Sequence, residues 1–223
     1  MSDTDADGPT ILAVDAAWTP AVSCLRHRGA CYVVAADEGH PHSRRLLPQW
    51  EELLQRAGLD WADLDGFALG IGPGSFTGLR VAAALINGLN ARLDKPVAAI
   101  DSPLLAAMQC GLSDCRVVLD AGAGCCYLAC CRAGELDGAA RLVRSDRLAE
   151  LLDDDRPVVS TMARPEGVAA PWLQPDPGRR PAALAKLCQR LAWHTRLPRR
   201  RFPRYLQPSQ AERNAIATGA APR

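Results

Sequence analysis

Residues 11–36, ILAVDAAWTPAVSCLRHRGACYVVAA, hold three apolar runs separated by two short links, and the way those runs join decides the fold. ILAVDAAW (11–18), AVSCLRH (21–27) and ACYVVAA (30–36) are each too short for a helix and read as strands. Thr19-Pro20 and Arg28-Gly29 are turn-prone pairs, and links of that length favour an antiparallel meander, since a parallel crossover needs a dozen residues or more. The periodicity then changes. SRRLLPQWEELLQRAG (43–58) sets Leu46, Leu47, Trp50, Leu53 and Leu54 at helical spacing, with Pro48 expected in the first turn and Gly58 as the stop. LDGFALGIG (64–72) reads as a strand, FTGLRVAAALINGLNARL (76–93) as a helix and KPVAAID (95–101) as another strand.

Three hairpin-linked strands followed by helix-linked parallel strands fit the ribonuclease-H-like lobe shared by actin, Hsp70 and sugar kinases. They also fit a generic doubly wound sheet. The second half holds SPLLAAMQCG (102–111) as a helix, CRVVLDAG (115–122) and CCYLACC (125–131) as strands, and SDRLAELLDDD (145–155) and PAALAKLCQRLAWHTRL (181–197) as helices. RVVLDAG stands to this half as ILAVDAA stands to the first, so the second half is expected to be a smaller copy. The proline- and glycine-rich ARPEGVAAPWLQPDPGRRP (163–181) is expected to be a long loop.

The 223 residues suit one large domain or two small lobes, and no apolar run approaches the roughly 18 residues of a membrane span. The acidic start MSDTDADGPT carries no signal-peptide pattern, so a cytoplasmic protein is expected. Nine cysteines, an odd number in that setting, are expected to be reduced thiols. Alternation in CCYLACC splits its thiols between two faces, Cys125 and Cys131 with Tyr127 and Cys126 and Cys130 opposite, which is not a zinc arrangement. The net charge of +1 hides five arginines in RLPRRRFPR (196–204). Arg199, Arg200, Arg201 and Arg204 are a solvated tail or a contact to an RNA backbone.

GIGPGSFTGLR (70–80) packs four glycines and a proline into eleven positions. A Walker loop needs Gly-Lys-Ser/Thr at the helix start, but here Gly78 precedes Leu79. A dinucleotide loop needs G-x-G-x-x-G, but Gly72, Gly74 and Gly78 are spaced G-x-G-x-x-x-G after three earlier strands. The remaining reading is a tight strand-to-helix turn built by Gly72, Pro73, Gly74, Ser75 and Gly78, with Ser75 or Thr77 as the cap. A helix start of this kind can still hold an anion. The helix it opens has a small face, Gly78, Ala82, Ala83, Ala84, Asn87, Gly88 and Ala91, suited to close packing. Actin-like proteins place a magnesium-organising carboxylate where Asp15 stands. Its neighbours Ala16, Ala17 and Trp18 bring neither glycine nor a hydroxyl beside the acid, which favours a structural role over a phosphate grip. His40 and His42 have no third ligand at helical spacing, and no Ser-His-Asp or Cys-His set can be picked out.

Taken together, ILAVDAAWTPAVSCL (11–25), HPHSRRLLPQWEELLQRAGL (40–59), LDGFALGIGPGSFTGLRVAAALINGLN (64–90), VVLDAG (117–122) and PRYLQP (203–208) resemble the TsaB (YeaZ-like) family, partner subunits in making threonylcarbamoyl adenosine next to the anticodon of tRNA. The resemblance implies an actin-like α/β fold with mixed sheets, a first lobe over 1–101 and a reduced second lobe over 102–223. It implies a non-catalytic chain without metal or cofactor, paired with the catalytic subunit TsaD, joined by the small ATPase TsaE, and touching tRNA through the complex. A homodimer through the same helices is the alternative pairing when the chain is alone. The helices starting near Ser43 and Phe76 would carry the pairing, through His42, Leu46, Leu47, Trp50, Phe76, Thr77, Arg80, Ala83, Ala84 and Asn87. The family's hydroxyl after the first-strand acid is replaced by Ala16, and DAGAGCC (120–126) lacks its second-lobe arginine. The competing reading is an ATP-using enzyme of the actin or sugar-kinase type.

Overall fold

The computed structural model describes residues 8–35 and 42–190. The first three apolar runs form β1 (Ile11–Asp15), β2 (Val22–His27) and β3 (Ala30–Ala35), an antiparallel meander, and the next two strands, β4 (Gly66–Gly70) and β5 (Val97–Ile100), join it in parallel. The sheet order β3-β2-β1-β4-β5 puts β1 at the centre. That position explains its unbroken apolar run: Leu12 and Val14 pack on one face, Ile11 and Ala13 on the other, all at most 1% exposed.

One face is covered by α1 (His42–Ala57) and α2 (Phe76–Leu93). In α1, Leu46, Trp50, Leu53 and Leu54 form the buried stripe, and the Trp50 indole Nε1 donates to Ser23 Oγ at 2.8 Å. Pro48 lies inside α1 and not in its first turn, because the helix already begins at His42. The opposite face is covered by α3 (Ser102–Gln109) and α5 (Arg180–Arg190), and α5 returns from the far end of the described chain to lie on β1, β2 and β3.

The second, six-stranded sheet repeats the plan. Its centre is β6 (Cys115–Gly122), antiparallel to β7 (Cys125–Arg132) and parallel to β10 (Val158–Ser160), with β11 (Trp172–Leu173) beyond β10. On the other edge β8 (Glu135–Leu136) and β9 (Arg141–Arg144) both pair with β7. This is the actin-like architecture, with β6 playing the part of β1; the two central strands of the second sheet, β6 and β7, are eight residues each and its outer strands are two to four.

The long loop expected over 163–181 contains β11, a two-residue strand that leaves almost no periodic signal. The helix expected over 145–155 shrinks to a 3₁₀ turn and the four-residue α4 (Leu148–Leu151), because only Leu148 and Leu152 are buried there. All nine cysteines are free thiols. Burial pushes the Cys31 thiol up to about 11, and Cys24 is raised by its hydrogen bond to Cys188 and then by burial. Among the described residues, no helix is long and apolar enough to cross a membrane.

Candidate functional site: the β1 carboxylate and the α1–α2 face

Two features meet at the end of β1. The first is the glycine turn between β4 and α2. Gly72 has φ +85, a conformation that β-carbon-bearing residues rarely adopt. The other glycines serve close approach. A β-carbon at Gly70 would strike the Asp15 carboxylate, one at Gly74 the Ala17 carbonyl, and one at Gly78 the Ala16 carbonyl. Ser75 N–H donates to Ala17 O at 2.5 Å, and Ser75 Oγ caps α2 by accepting from Gly78 N–H at 3.1 Å. Ser102 N–H donates to Gly72 O at 3.1 Å. The turn is therefore seated on the backbone of residues 15–17. We expect Gly78→Ala to cost about 1–3 kcal/mol, as overpacking does, lowering the thermal midpoint by roughly 2–12 °C in circular dichroism melts. Gly88→Ala, where a β-carbon meets nothing within 4 Å, should leave the midpoint unchanged or slightly raised.

The second feature is Asp15 itself, fully buried at the C-terminal end of β1. Its Oδ1 accepts from the Ala17 N–H at 3.1 Å and from Arg180 Nη2, and its Oδ2 accepts from Ser102 Oγ at 2.6 Å. Arg180 opens α5, is 1% exposed, and also donates through Nη1 to the carbonyls of Trp18 and Pro20. The Trp18 ring lies over the guanidinium at 3.9 Å. Burial lowers the Arg180 pKa from its usual range, and the Asp15 charge opposes that shift. Beside the pair runs a cleft of about 430 Å³ between the two sheets, lined by Trp18, Gln109, Asp120, Ser160, Thr161 and Arg180.

The actin-like fold implies a divalent cation and nucleotide phosphates at this carboxylate, and the residues here do not fit them. Both carboxylate oxygens are engaged by the chain's own donors, and the Ala17 N–H points back at Asp15. Among the described residues, no three His, Cys, Asp or Glu side chains come together as metal ligands.

The residues expected to carry pairing divide sharply. Leu46, Trp50 and Ala83 lie in the core beneath α1 and α2, at most 6% exposed, so their side chains are not offered to a partner. The helix stripe that looked like an interface in sequence is the stripe that packs on the sheet. Thr77, Arg80, Ala84 and Asn87 do lie on the outer face of α2, continued by Gly88 and Ala91, and Leu47 on α1 and Phe76 on α2 are half-buried. The Arg80 guanidinium stacks on the Phe76 ring at 3.9 Å. His42 begins α1. Arg199, Arg200, Arg201 and Arg204 lie outside the described residues, as does His40.

Sequence reasoning missed Arg180 and Ser102. Arg180 is 165 positions from Asp15 and sits in a proline-glycine segment with no periodic or motif signal. Ser102 follows Asp101 at a helix start and reads as an ordinary first-turn residue.

The family model described as TsaD, tRNA N6-adenosine threonylcarbamoyltransferase, matches residues 33–176. A tRNA threonylcarbamoyladenosine biosynthesis protein TsaB from Haemophilus influenzae is 37% identical over 93 residues, which cover 42% of this chain and 39% of that one. The chain thus spans less than half the length of that curated relative. Among solved structures, a Pseudomonas aeruginosa protein with similarity to peptidase YeaZ superposes with a TM-score of 0.70 at 26% identity, covering 90% of this chain and all of that one. YeaZ from Pseudomonas aeruginosa superposes with a TM-score of 0.63 at 27% identity, covering 82% and 92%. With two sheets built on the same plan around β1 and β6 and a match over more than half its length, the chain belongs to the family that the TsaD model describes, and within it to the TsaB/YeaZ branch.

Proposed function

We propose that this chain is a non-catalytic subunit of the machinery that places the threonylcarbamoyl group on N6 of the adenosine beside the tRNA anticodon, and that it works by pairing with and activating the catalytic subunit TsaD. The observation that carries this reading is the outer face of α2, where Thr77, Ala84, Asn87, Gly88 and Ala91 expose a surface low enough for another helix to approach closely. Leu47 and Phe76 flank it with apolar area, the composition of an interface centre. The engaged state of Asp15 supports the absence of catalysis in this chain, because the carboxylate that would organise phosphate transfer is already neutralised.

The deciding experiment titrates the purified chain into TsaD and follows complex mass together with threonylcarbamoyl transfer to tRNA, with TsaE supplied and with ATP hydrolysis by this chain alone as the control. Tight pairing, with transfer appearing only in the mixture, is the expected result. ATP turnover by the lone chain without pairing would replace this reading with that of an actin-like or sugar-kinase-like enzyme. A second copy of this chain is the competing occupant of the face, and the mass of the chain alone reports it.

Ala84→Arg on the exposed side of α2, or Leu47→Asp at its edge, is expected to weaken pairing by about 30-fold, the ~2 kcal/mol scale of an interface hot spot. The circular dichroism spectrum and melt should stay as in the parent. A loss of secondary structure in Ala84→Arg would place that residue in the core and remove the face from consideration.

A further inference from the structure

We propose that the cleft between the two sheets binds a small molecule, uncharged or cationic, through an amide-type edge in which a carbonyl stands beside an N–H. Two buried polar atoms at the cleft wall carry the inference, because the chain itself meets neither of them. Gln109, 4% exposed, donates through Nε2 to the Asp176 carbonyl at 2.8 Å, and its Oε1 is buried with no hydrogen-bond partner among the described residues. Arg180, 1% exposed, commits its Nη groups to Asp15, Trp18 and Pro20, and its Nε is buried with no partner among the described residues. Both residues line the same cleft of about 430 Å³. One unmet atom is an acceptor and the other a donor, and a buried group in that state has lost its hydration without return. A ligand carbonyl accepts from Arg180 Nε–H and a neighbouring ligand N–H donates to Gln109 Oε1, so an amide edge supplies what each lacks.

The rest of the lining sets charge and shape. Among the described residues around the cleft, the charged side chains are Asp120 and Arg180, and Arg180 is balanced by Asp15. One negative charge remains, which repels phosphate and carboxylate ligands and admits neutral or cationic ones. Ser160 Oγ accepts from the Met162 N–H at 3.0 Å and Thr161 Oγ1 from the Asp120 N–H at 3.4 Å, which leaves each hydroxyl hydrogen to donate to a ligand oxygen. Trp18 and Pro175 add apolar wall, the mixture expected of a small-molecule site. Pro177 opens an exposed 3₁₀ turn (Pro177–Arg179) whose cap, Asp176, is the residue that Gln109 holds. A ligand therefore gains the two buried atoms by shifting that turn while both sheets stay in place. The inference is independent of the pairing reading and stands if that reading fails.

A nucleobase and an amino-acid amide share this chemistry, so uridine and glycinamide are the probes. Each is titrated into the full chain, with saturation-transfer NMR on the ligand and the thermal midpoint of the protein as readouts. Saturable binding by one of them, with a rise in midpoint, is the expected result and names the source. The matching compound without that N–H, 3-methyluridine or glycine methyl ester, should lose the signal, a control that leaves the protein untouched. Q109L should weaken binding about 10-fold and T161V, at an exposed position, about 3-fold. A cleft that holds ordered water only gives no saturable signal with either probe and overturns the proposal. Binding that survives loss of the ligand N–H overturns it too, as does competition by inorganic phosphate, which the Asp120 charge should exclude.

Discussion

Asp15→Ala is expected to destabilise the chain by about 3–5 kcal/mol, a large share of the roughly 5–15 kcal/mol available to a folded domain. The substitution leaves the Arg180 guanidinium in a 1% exposed position with two carbonyls and an aromatic ring but no opposite charge. It also strips Ser102 Oγ and the Ala17 N–H of their acceptor. Breaking one side of a buried pair costs far more than the pair contributes relative to apolar groups. The Asp15→Leu/Arg180→Met double variant should therefore recover much of the loss, and a double-mutant cycle by urea unfolding measures the coupling. A single-variant cost below about 1 kcal/mol would mean that water reaches the pair.

The second large effect belongs to Trp50. Trp50→Ala empties the centre of the cluster that holds Leu12, Leu46, Leu53, Phe67 and Ile86, and aromatic-to-alanine changes at fully buried sites cost about 3–5 kcal/mol. Trp50→Phe keeps most of the ring volume but leaves Ser23 Oγ, itself 1% exposed, without the indole donor, for a cost of about 1–3 kcal/mol. Unfolding curves check both. An interface role for Trp50 makes the opposite forecast, a parent-like melt with lost pairing, so one denaturation experiment separates core from contact.

That contrast shows where a one-dimensional reading stops. A 3.6-residue period marks which positions of α1 share a face, but the period has no sign: Leu46, Trp50 and Leu53 read equally well as a stripe for the sheet or for a partner. On α2 the small residues surround much of the helix, so the core side (Gly78, Ala82, Ala83) and the outer side (Ala84, Asn87, Gly88, Ala91) look alike until the sheet is beneath them. Gly74 and Gly78 are legible as part of a turn and Gly70 as the end of a strand. Their reason is not, because the atoms they make room for belong to residues 15–17, more than 50 positions earlier.

By itself the sequence determined the order of elements in the first 110 residues, the antiparallel start, the helix-linked strands that follow it, the apolar first strand and the repeat of Asp-Ala at the head of the second half. Those are local signals: two-residue links, period-2 and period-3.6 patterning, and glycine at a turn that needs positive φ. Only the tertiary structure decided that α5 crosses back to close the first sheet, and that Arg180 and Ser102 meet Asp15. Burial and charge pairing depend on which distant segments share a volume. One arginine of a Gly-Arg-Arg-Pro run carries no local trace of the carboxylate it will neutralise 165 residues away.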